Sequence, residues 1–328
     1  VTRAMPAILE VEDLRLHYLT RLGRRVQAVD GVSFQLQPGE ILGIAGESGC
    51  GKTTLVSGLM GLLMPPLHLT SGAVRIAGRD ILRLPPAEVR RSVLGRDIAM
   101  IPQGALNSLN PTRKIRDLAT DVILAHDEGA DRRAIQERLR ERFTRIGLEA
   151  DAVLNAYPVQ LPAGMKQRVV IGISTLLNPR IVIADEPSSA LDVSSQKAVI
   201  QLLFNLLDEG IVSSMVFITH ELPLLRHVAG RIAVMYAGQI VEIGTTEQVI
   251  FDGRQPYTRA LMGSMLSAEP GQKSRKPVAI EGAPPNLGEP ISGCRFAVRC
   301  PVAQPDCTQR DQVLREVAGR HVRCHHAR

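Results

Sequence analysis

Residues Gly46-Glu47-Ser48-Gly49-Cys50-Gly51-Lys52-Thr53 fit the pattern G-x-x-x-x-G-K-[ST] at every fixed position. The residue types predict anion chemistry. Glycines let a backbone curl around a phosphate without a Cβ clash. Successive N–H groups at a helix N-terminus then face the anion, and the helix dipole favours it. Lys52 has the reach and charge for β- and γ-phosphates, and the Thr53 hydroxyl suits Mg²⁺, a hard cation that prefers oxygen. The binding set is Gly46, Ser48, Gly49, Cys50, Gly51, Lys52, Thr53 and the following Thr54. Cys50 occupies a free position of the pattern and reads as a small packing residue.

A second group of residues lies far downstream. Ile181-Val182-Ile183-Ala184 is a short apolar run ending in Asp185-Glu186. After a phosphate loop, the first acid at such a strand end supports Mg²⁺. The second is placed to orient or deprotonate an attacking water.

With these residues in place, the chain resembles the ABC ATPases. Asp185-Glu186-Pro187-Ser188-Ser189-Ala190-Leu191-Asp192 is similar to their Walker B end and D-loop, which adds Asp192 to the nucleotide set. Ile101-Pro102-Gln103 resembles the Q-loop, whose glutamine approaches Mg²⁺ and the water. Ile218-Thr219-His220-Glu221 resembles the H-loop, whose histidine contacts the γ-phosphate. Tyr18 stands where the family places an adenine-stacking aromatic; an ordinary strand tyrosine fits the same position. The resemblance therefore implies ATP and Mg²⁺, with Glu186, His220 and Gln103 catalytic and Thr53, Gln103 and Asp185 serving the metal. Gly104-Ala105-Leu106-Asn107-Ser108-Leu109-Asn110-Pro111 and Asp252-Gly253-Arg254-Gln255-Pro256-Tyr257-Thr258 narrow the likeness to importers of peptides, nickel and related oligosaccharides.

One motif departs from the family pattern. The family signature is Leu-Ser-Gly-Gly-Gln, or a final Met in this subgroup, and it touches the γ-phosphate bound on the opposite subunit. Here Leu161-Pro162-Ala163-Gly164-Met165 puts proline for serine and alanine for the first glycine. Proline suits the first turn of a helix but carries neither hydroxyl nor N–H. The resemblance implies head-to-tail pairs, so a damaged signature predicts a heterodimer with a second ATPase whose signature is intact.

Four of the five cysteines, Cys294, Cys300, Cys307 and Cys324, lie in the last 35 residues. Disulfides are disfavoured in a reducing cytosol, and four thiols suit a [4Fe–4S] cluster or a tetrahedral zinc site. The spacing matches neither a zinc ribbon nor a ferredoxin run. Gly293-Cys294-Arg295-Phe296-Ala297-Val298-Arg299-Cys300-Pro301 resembles the C-terminal region of peptide-importer ATPases, where some relatives hold an iron–sulfur cluster. The expectation is a structural iron–sulfur site, with zinc as the alternative. His321, His325 and His326 read as solvated terminal histidines.

These residues need a scaffold. Alternation from Ile8 to Gln37 predicts antiparallel strands, and the apolar runs Ile41–Ala45, Ile181–Ala184 and Met215–Thr219 predict buried parallel strands. Helices are expected over Lys52–Leu63, Asp131–Leu148 and Val193–Leu207, and a hairpin over Ile232–Ile243 turning at Gly238. Strands interleaved with helices predict an α/β P-loop fold with an antiparallel β subdomain, a helical subdomain at about 104–167 and a metal-binding tail. The ATPase domain is expected over 1–266 and the extension over 267–328, joined by the Pro-, Gly- and Lys-rich stretch Ser267–Pro290.

Composition excludes other classes. Aromatic residues make up 3% with no Trp, too few for a single-strand stacking platform. The net charge is +6. From Gly271 to Arg328, ten Lys/Arg against five Asp/Glu give +5, which leaves +1 for the other 270 residues. The basic excess belongs to the tail, so no nucleic-acid face is expected. No apolar run is long enough to span a bilayer, and the N-terminal stretch does not read as a secretory signal. The expected location is the cytoplasmic face of the cell membrane. The expected partners are two transmembrane permease subunits and an extracytoplasmic solute-binding protein, with peptides or similar solutes as cargo. The rival reading is a soluble ABC ATPase acting on DNA or the ribosome.

Overall fold

Alternating polarity near the N-terminus gives two antiparallel strands, β1 (Leu9–Leu19) and β2 (Arg25–Leu36), in register from Leu9 opposite Leu36 to Leu19 opposite Arg25. The computed structural model describes residues 6–104, 107–189, 191–264 and 278–328. Ala105, Leu106, Ala190 and the first part of the expected linker, 267–277, lie outside the described residues. The chain divides into two compact units, Val1–Leu82 with Phe217–Arg328, and Arg83–Val216.

The first unit continues with β3 (Ile41–Ala45), α1 (Lys52–Leu59), β4 (Leu67–Ile76) and β5 (Arg79–Asp80). The second holds α2 (Pro86–Glu88), β6 (Ile98–Ile101), α3 (Ile115–Leu124), α4 (Arg132–Arg145), α5 (Ala150–Asn155), α6 (Ala163–Ser174), β7 (Ile181–Asp185) and α7 (Val193–Asp208). Strand β8 (Ser214–Ile218) returns the chain to the first unit. There follow α8 (Leu222–Val228), β9 (Arg231–Tyr236), β10 (Gln239–Thr245), α9 (Thr246–Asp252), α10 (Pro256–Gly263), β11 (Arg315–Val317) and β12 (Arg320–Val322).

In the first unit, β2, β1, β4 and β5 make an antiparallel sheet in that order. A second run, β11-β12-β10-β9-β3, is antiparallel except for the parallel pair β9 and β3. The tail thus extends this sheet, through Glu242 opposite Val322 and Ile243 opposite His321. In the second unit β6 pairs in parallel with β7, Ile98 opposite Ile181.

The apolar runs sit where burial requires. Leu42, Ile44 and Ala45 of β3, and Ile181 to Ala184 of β7, are fully buried. Asp131 caps α4 by accepting the Ala134 N–H, and Ile135, Leu139 and Phe143 form its buried face. Helix α1 stops four residues short of the expected Leu63. Gly61 adopts a left-handed conformation, Leu62 N–H reaches Ser57 C=O, and Gly61 N–H reaches Gly58 C=O, the paired bonds of a glycine stop. No described helix is long and apolar enough to cross a membrane.

Candidate functional site

The phosphate loop leaves β3 at Gly46 and enters α1 at Lys52. A Cβ on Gly46 would lie 2.1 Å from the Met235 carbonyl oxygen, and one on Gly51 would lie 2.2 Å from that of Ala28. Only glycine lets this loop sit so close to neighbouring backbone. Lys52 is buried, and its ammonium donates to the carbonyls of Gly46 at 2.6 Å and Glu47 at 3.0 Å. The cation is therefore held against its own loop at the start of α1, where the helix dipole adds positive potential. Thr53 is exposed there. Cys50 is buried, and that burial pushes its thiol pKa up, as suits a packing residue.

Tyr18 from β1 shares a 3.1 Å hydrogen bond with the Thr54 hydroxyl in the first turn of α1. This fixes the tyrosine beside the loop. The Thr219 N–H donates to Ile44 C=O, so His220 follows the end of a strand adjoining β3. Its side chain is exposed.

The second unit holds the other expected residues. Asp185 ends β7 and is buried. Glu186 follows in a left-handed backbone conformation, φ 47°, a state that costs of order 1–3 kcal/mol for a residue with a Cβ. Gln103, just beyond β6, donates to Glu186 from Nε2 to Oε2 at 2.9 Å. Asp192 caps α7, accepting from Ser195 N–H at 3.0 Å and Ser195 Oγ at 2.7 Å. Those bonds, the backbone one first, hold its carboxyl below the ordinary range. Helix α6 opens at Ala163 with Pro162 as its cap residue, and no side chain caps it. The Pro162 carbonyl still accepts the Lys166 N–H at 3.0 Å, so the helix forms without the donors that serine would supply. Leu161 is buried, and Gly164 and Met165 lie in the first turn of α6.

Comparisons with known proteins give the family. Residues 29–189 match the ABC transporter family model, and residues 241–307 match the C-terminal region of oligopeptide/dipeptide transporters. The chain is 38% identical over 322 residues to a dipeptide transport ATP-binding protein of Caldanaerobacter subterraneus, covering 98% of this chain and 97% of that one. The chain belongs to the ABC transporter ATP-binding proteins of the dipeptide/oligopeptide importer family. As a member, it is an ATP hydrolase coupled to transport. It is also similar to an oligopeptide transport ATP-binding protein of Escherichia coli, 37% identical over 324 residues, with 96% of this chain and 94% of that one covered. Among solved structures, the dimeric ATP-binding cassette MJ0796 in a post-hydrolysis state with ADP and phosphate matches at TM-score 0.63 and 25% identity. It covers 73% of this chain and 98% of that one.

The tail corrects one expectation. Cys294, Cys300, Cys307 and Cys324 are free thiols that line one cavity of about 100 Å³, with Phe296 and His326. An iron–sulfur cluster is nevertheless not retained. Among the described residues, Asp306, Cys307 and His326 form a group whose oxygen, sulfur and nitrogen ligand atoms all lie within 4.8 Å of one another. The relatives, moreover, are described only as ATP-binding proteins of peptide transport. Burial pushes the Cys294 and Cys300 thiols above their ordinary pKa. His326 is not merely solvated; it pairs with Asp306 at 3.1 Å.

Sequence reasoning missed three residues at the phosphate loop. Tyr257 accepts the Glu47 N–H at its hydroxyl, 2.9 Å. Arg299 grips the Glu47 carboxylate, and Phe296 packs on the rings of Tyr236 and Tyr257. All three lie in stretches already singled out by resemblance, but sequence separations of 210 and 252 give no local signal of contact.

Proposed function

We propose that this chain binds and hydrolyses ATP to power import of peptides or similar solutes through a membrane permease, as one half of an ATPase heterodimer. The observation that carries the reading is the Lys52 ammonium, held by Gly46 and Glu47 carbonyls at the opening of α1. Phosphate oxygens are the ligands such a loop selects. Gly46, Ser48, Gly49, Cys50, Gly51, Lys52, Thr53 and Thr54 cradle the phosphates. Tyr18 stacks on the base, and Asp192 completes the nucleotide set. Glu186 takes the proton of the attacking water, Gln103 orients it, and His220 contacts the γ-phosphate. Thr53, Gln103 and Asp185 offer oxygen donors that fit Mg²⁺, which would neutralise charge on the transferred phosphoryl group.

Pro162 lacks both the hydroxyl and the N–H that serine would bring, two donors lost to the signature, and hydrogen bonds to charged groups contribute roughly 1.5–3 kcal/mol each. A partner ATPase with an intact signature restores one composite site, the one built on this chain's Lys52 and Glu186. The ATPase domain spans 1–266, with a helical subdomain at about 104–167 that docks on the permease, and the extension spans 267–328. An extracytoplasmic binding protein delivers the solute, and the chain works at the cytoplasmic face of the membrane. In the tail, Asp306, Cys307 and His326 offer oxygen, sulfur and nitrogen donors of the kind zinc takes.

Tagging the chain, solubilising its native membranes gently and identifying what copurifies tests the assembly. Two multi-span proteins and a second ATPase are expected. Recovery only with ribosomal or DNA-repair proteins would overturn the transporter. Comparing Glu186→Gln with the equivalent change in the partner tests the asymmetry, which fails if Glu186→Gln leaves turnover intact while the partner's change abolishes it.

A further inference from the structure

The C-terminal extension reaches the nucleotide loop through one ion pair. Arg299 Nη1 donates to Glu47 Oε2 at 2.7 Å and Nη2 to Oε1 at 3.0 Å, a two-pronged pairing that fixes direction as well as distance. The remaining guanidinium contacts go to the Glu281 carbonyl at 3.0 Å, the Ile280 carbonyl at 3.3 Å and the Tyr236 hydroxyl at 3.2 Å. The Arg299 side chain is 4% exposed and that of Glu47 26%. Glu47 is the first free position of the phosphate loop. Its N–H donates to Tyr257 and its carbonyl accepts from Lys52. One residue thus links the tail's guanidinium to the loop's lysine.

We propose that Arg299 is a positioning residue for nucleotide binding: by neutralising and pinning Glu47 it holds the phosphate loop in its binding shape and sets the affinity for ATP. Two physical effects act together. Without Arg299, a half-buried carboxylate stands unpaired in the loop that receives an anion, and like charges repel. The Glu47 main chain also loses the side-chain anchor that fixes the carbonyl on Lys52. Both effects act on binding and neither touches the reacting atoms, so Arg299 is not itself catalytic. The contact gives the peptide-transporter C-terminal region a task at the ATP site.

The inference rests on reading Gly46–Thr53 as the ATP phosphate loop, and the controls separate the two. ATP binding to the full chain would be measured by calorimetry for wild type, Arg299→Ala, Arg299→Lys, Arg299→Ala with Glu47→Gln, and Lys52→Ala, each with a thermal melt without nucleotide. The expected result is a dissociation constant raised roughly tenfold by Arg299→Ala and returned most of the way by adding Glu47→Gln, which removes the unpaired charge. Arg299→Lys keeps charge and stem but loses the two-pronged grip; it is expected to weaken binding by less, with an unchanged melt, and it serves if Arg299→Ala does not fold. Arg299 variants that bind ATP within twofold of wild type, while Lys52→Ala loses binding, would overturn the inference and leave the loop assignment standing. A loss in Arg299→Ala that Glu47→Gln does not relieve would overturn it in favour of a purely structural contact. Wild-type affinity in Lys52→Ala would overturn the loop assignment itself.

Discussion

Gln103 and Glu186, 83 positions apart, meet at 2.9 Å, the amide nitrogen donating to the carboxylate. The bond holds the Glu186 side chain while its backbone sits at a positive φ. The bond uses the Gln103 amide nitrogen, and an amide carbonyl is an acceptor group. Both residues lie just beyond the ends of adjacent parallel strands, the placement that the proposed roles of base and orienting neighbour require.

Changing Glu186 to Gln keeps shape and removes the base. Proton transfer by a positioned side chain is worth typically about 10²–10⁴ in rate. ATP turnover by the assembled transporter is expected to fall by that range, while ATP affinity stays within a few-fold of wild type. Unchanged turnover in steady-state phosphate release would assign the base elsewhere.

Phe296 is 1% exposed, with its ring 5.3 Å from that of Tyr236 and 5.4 Å from that of Tyr257. It anchors the tail next to the residues that hold Glu47. Truncating a buried phenylalanine costs about 3–5 kcal/mol, so Phe296→Ala is expected to lower the urea midpoint accordingly. A midpoint shift worth less than about 1 kcal/mol would mean that the tail docks by its polar contacts alone.

The tail thiols give a pH test. Burial raises the pKa of Cys294 and Cys300, and the thiolate is the reactive form. A raised pKa means less thiolate at any given pH, so alkylation of these two at pH 8 is expected to be slower than that of an exposed cysteine. The rate should keep rising above the pH at which an ordinary thiol has levelled off. The same sign governs stability: whatever the protonated thiols contribute is complete below the unfolded-state pKa and is lost as pH rises through the folded one. Residue-resolved alkylation by mass spectrometry decides it, and rapid labelling of Cys294 and Cys300 at pH 8 would contradict the buried, protonated cavity.

The sequence made the local chemistry readable and the long-range chemistry unreadable. Gly46 to Thr53 was legible because phosphate recognition needs consecutive backbone amides, which must be contiguous in sequence. Strands β3 and β7 were legible because burial on both faces leaves an unbroken apolar run. Asp131 announced the start of α4, but the stop of α1 at Gly61 lay inside a run whose apolar spacing continued through Leu62 and Leu63. Strands β11 and β12 escaped notice because three residues each are too few to show alternation. The four cysteines suggested a cluster because spacing counts thiols and says nothing of what they bind; the structure gathers all four around one cavity, and the relatives are described only as ATP-binding proteins of peptide transport. Arg299 looked like part of a basic tail, although its charge is spent on Glu47.

The altered signature can be repaired in place. Helix α6 already forms with Pro162 at its cap and Ala163 in its first turn, so Pro162→Ser with Ala163→Gly adds donors without rebuilding the helix. Serine is a good cap residue in its own right and offsets the roughly 0.5–1 kcal/mol that glycine costs against alanine in a helix, so the net change in stability is expected to be small. In a pair of these chains arranged head to tail as proposed, each repaired signature would face the other's phosphate loop, and each regained bond to a charged group is worth roughly 1.5–3 kcal/mol. In a Glu186→Gln background, expected to hold ATP without hydrolysing it, the repaired chain is expected to self-associate at protein concentrations at least about tenfold lower than the unrepaired one. Light scattering with and without ATP reads this directly. Equal association by both chains would show that Pro162 and Ala163 do not weaken closure, and the argument for an obligatory second ATPase would lose its physical basis.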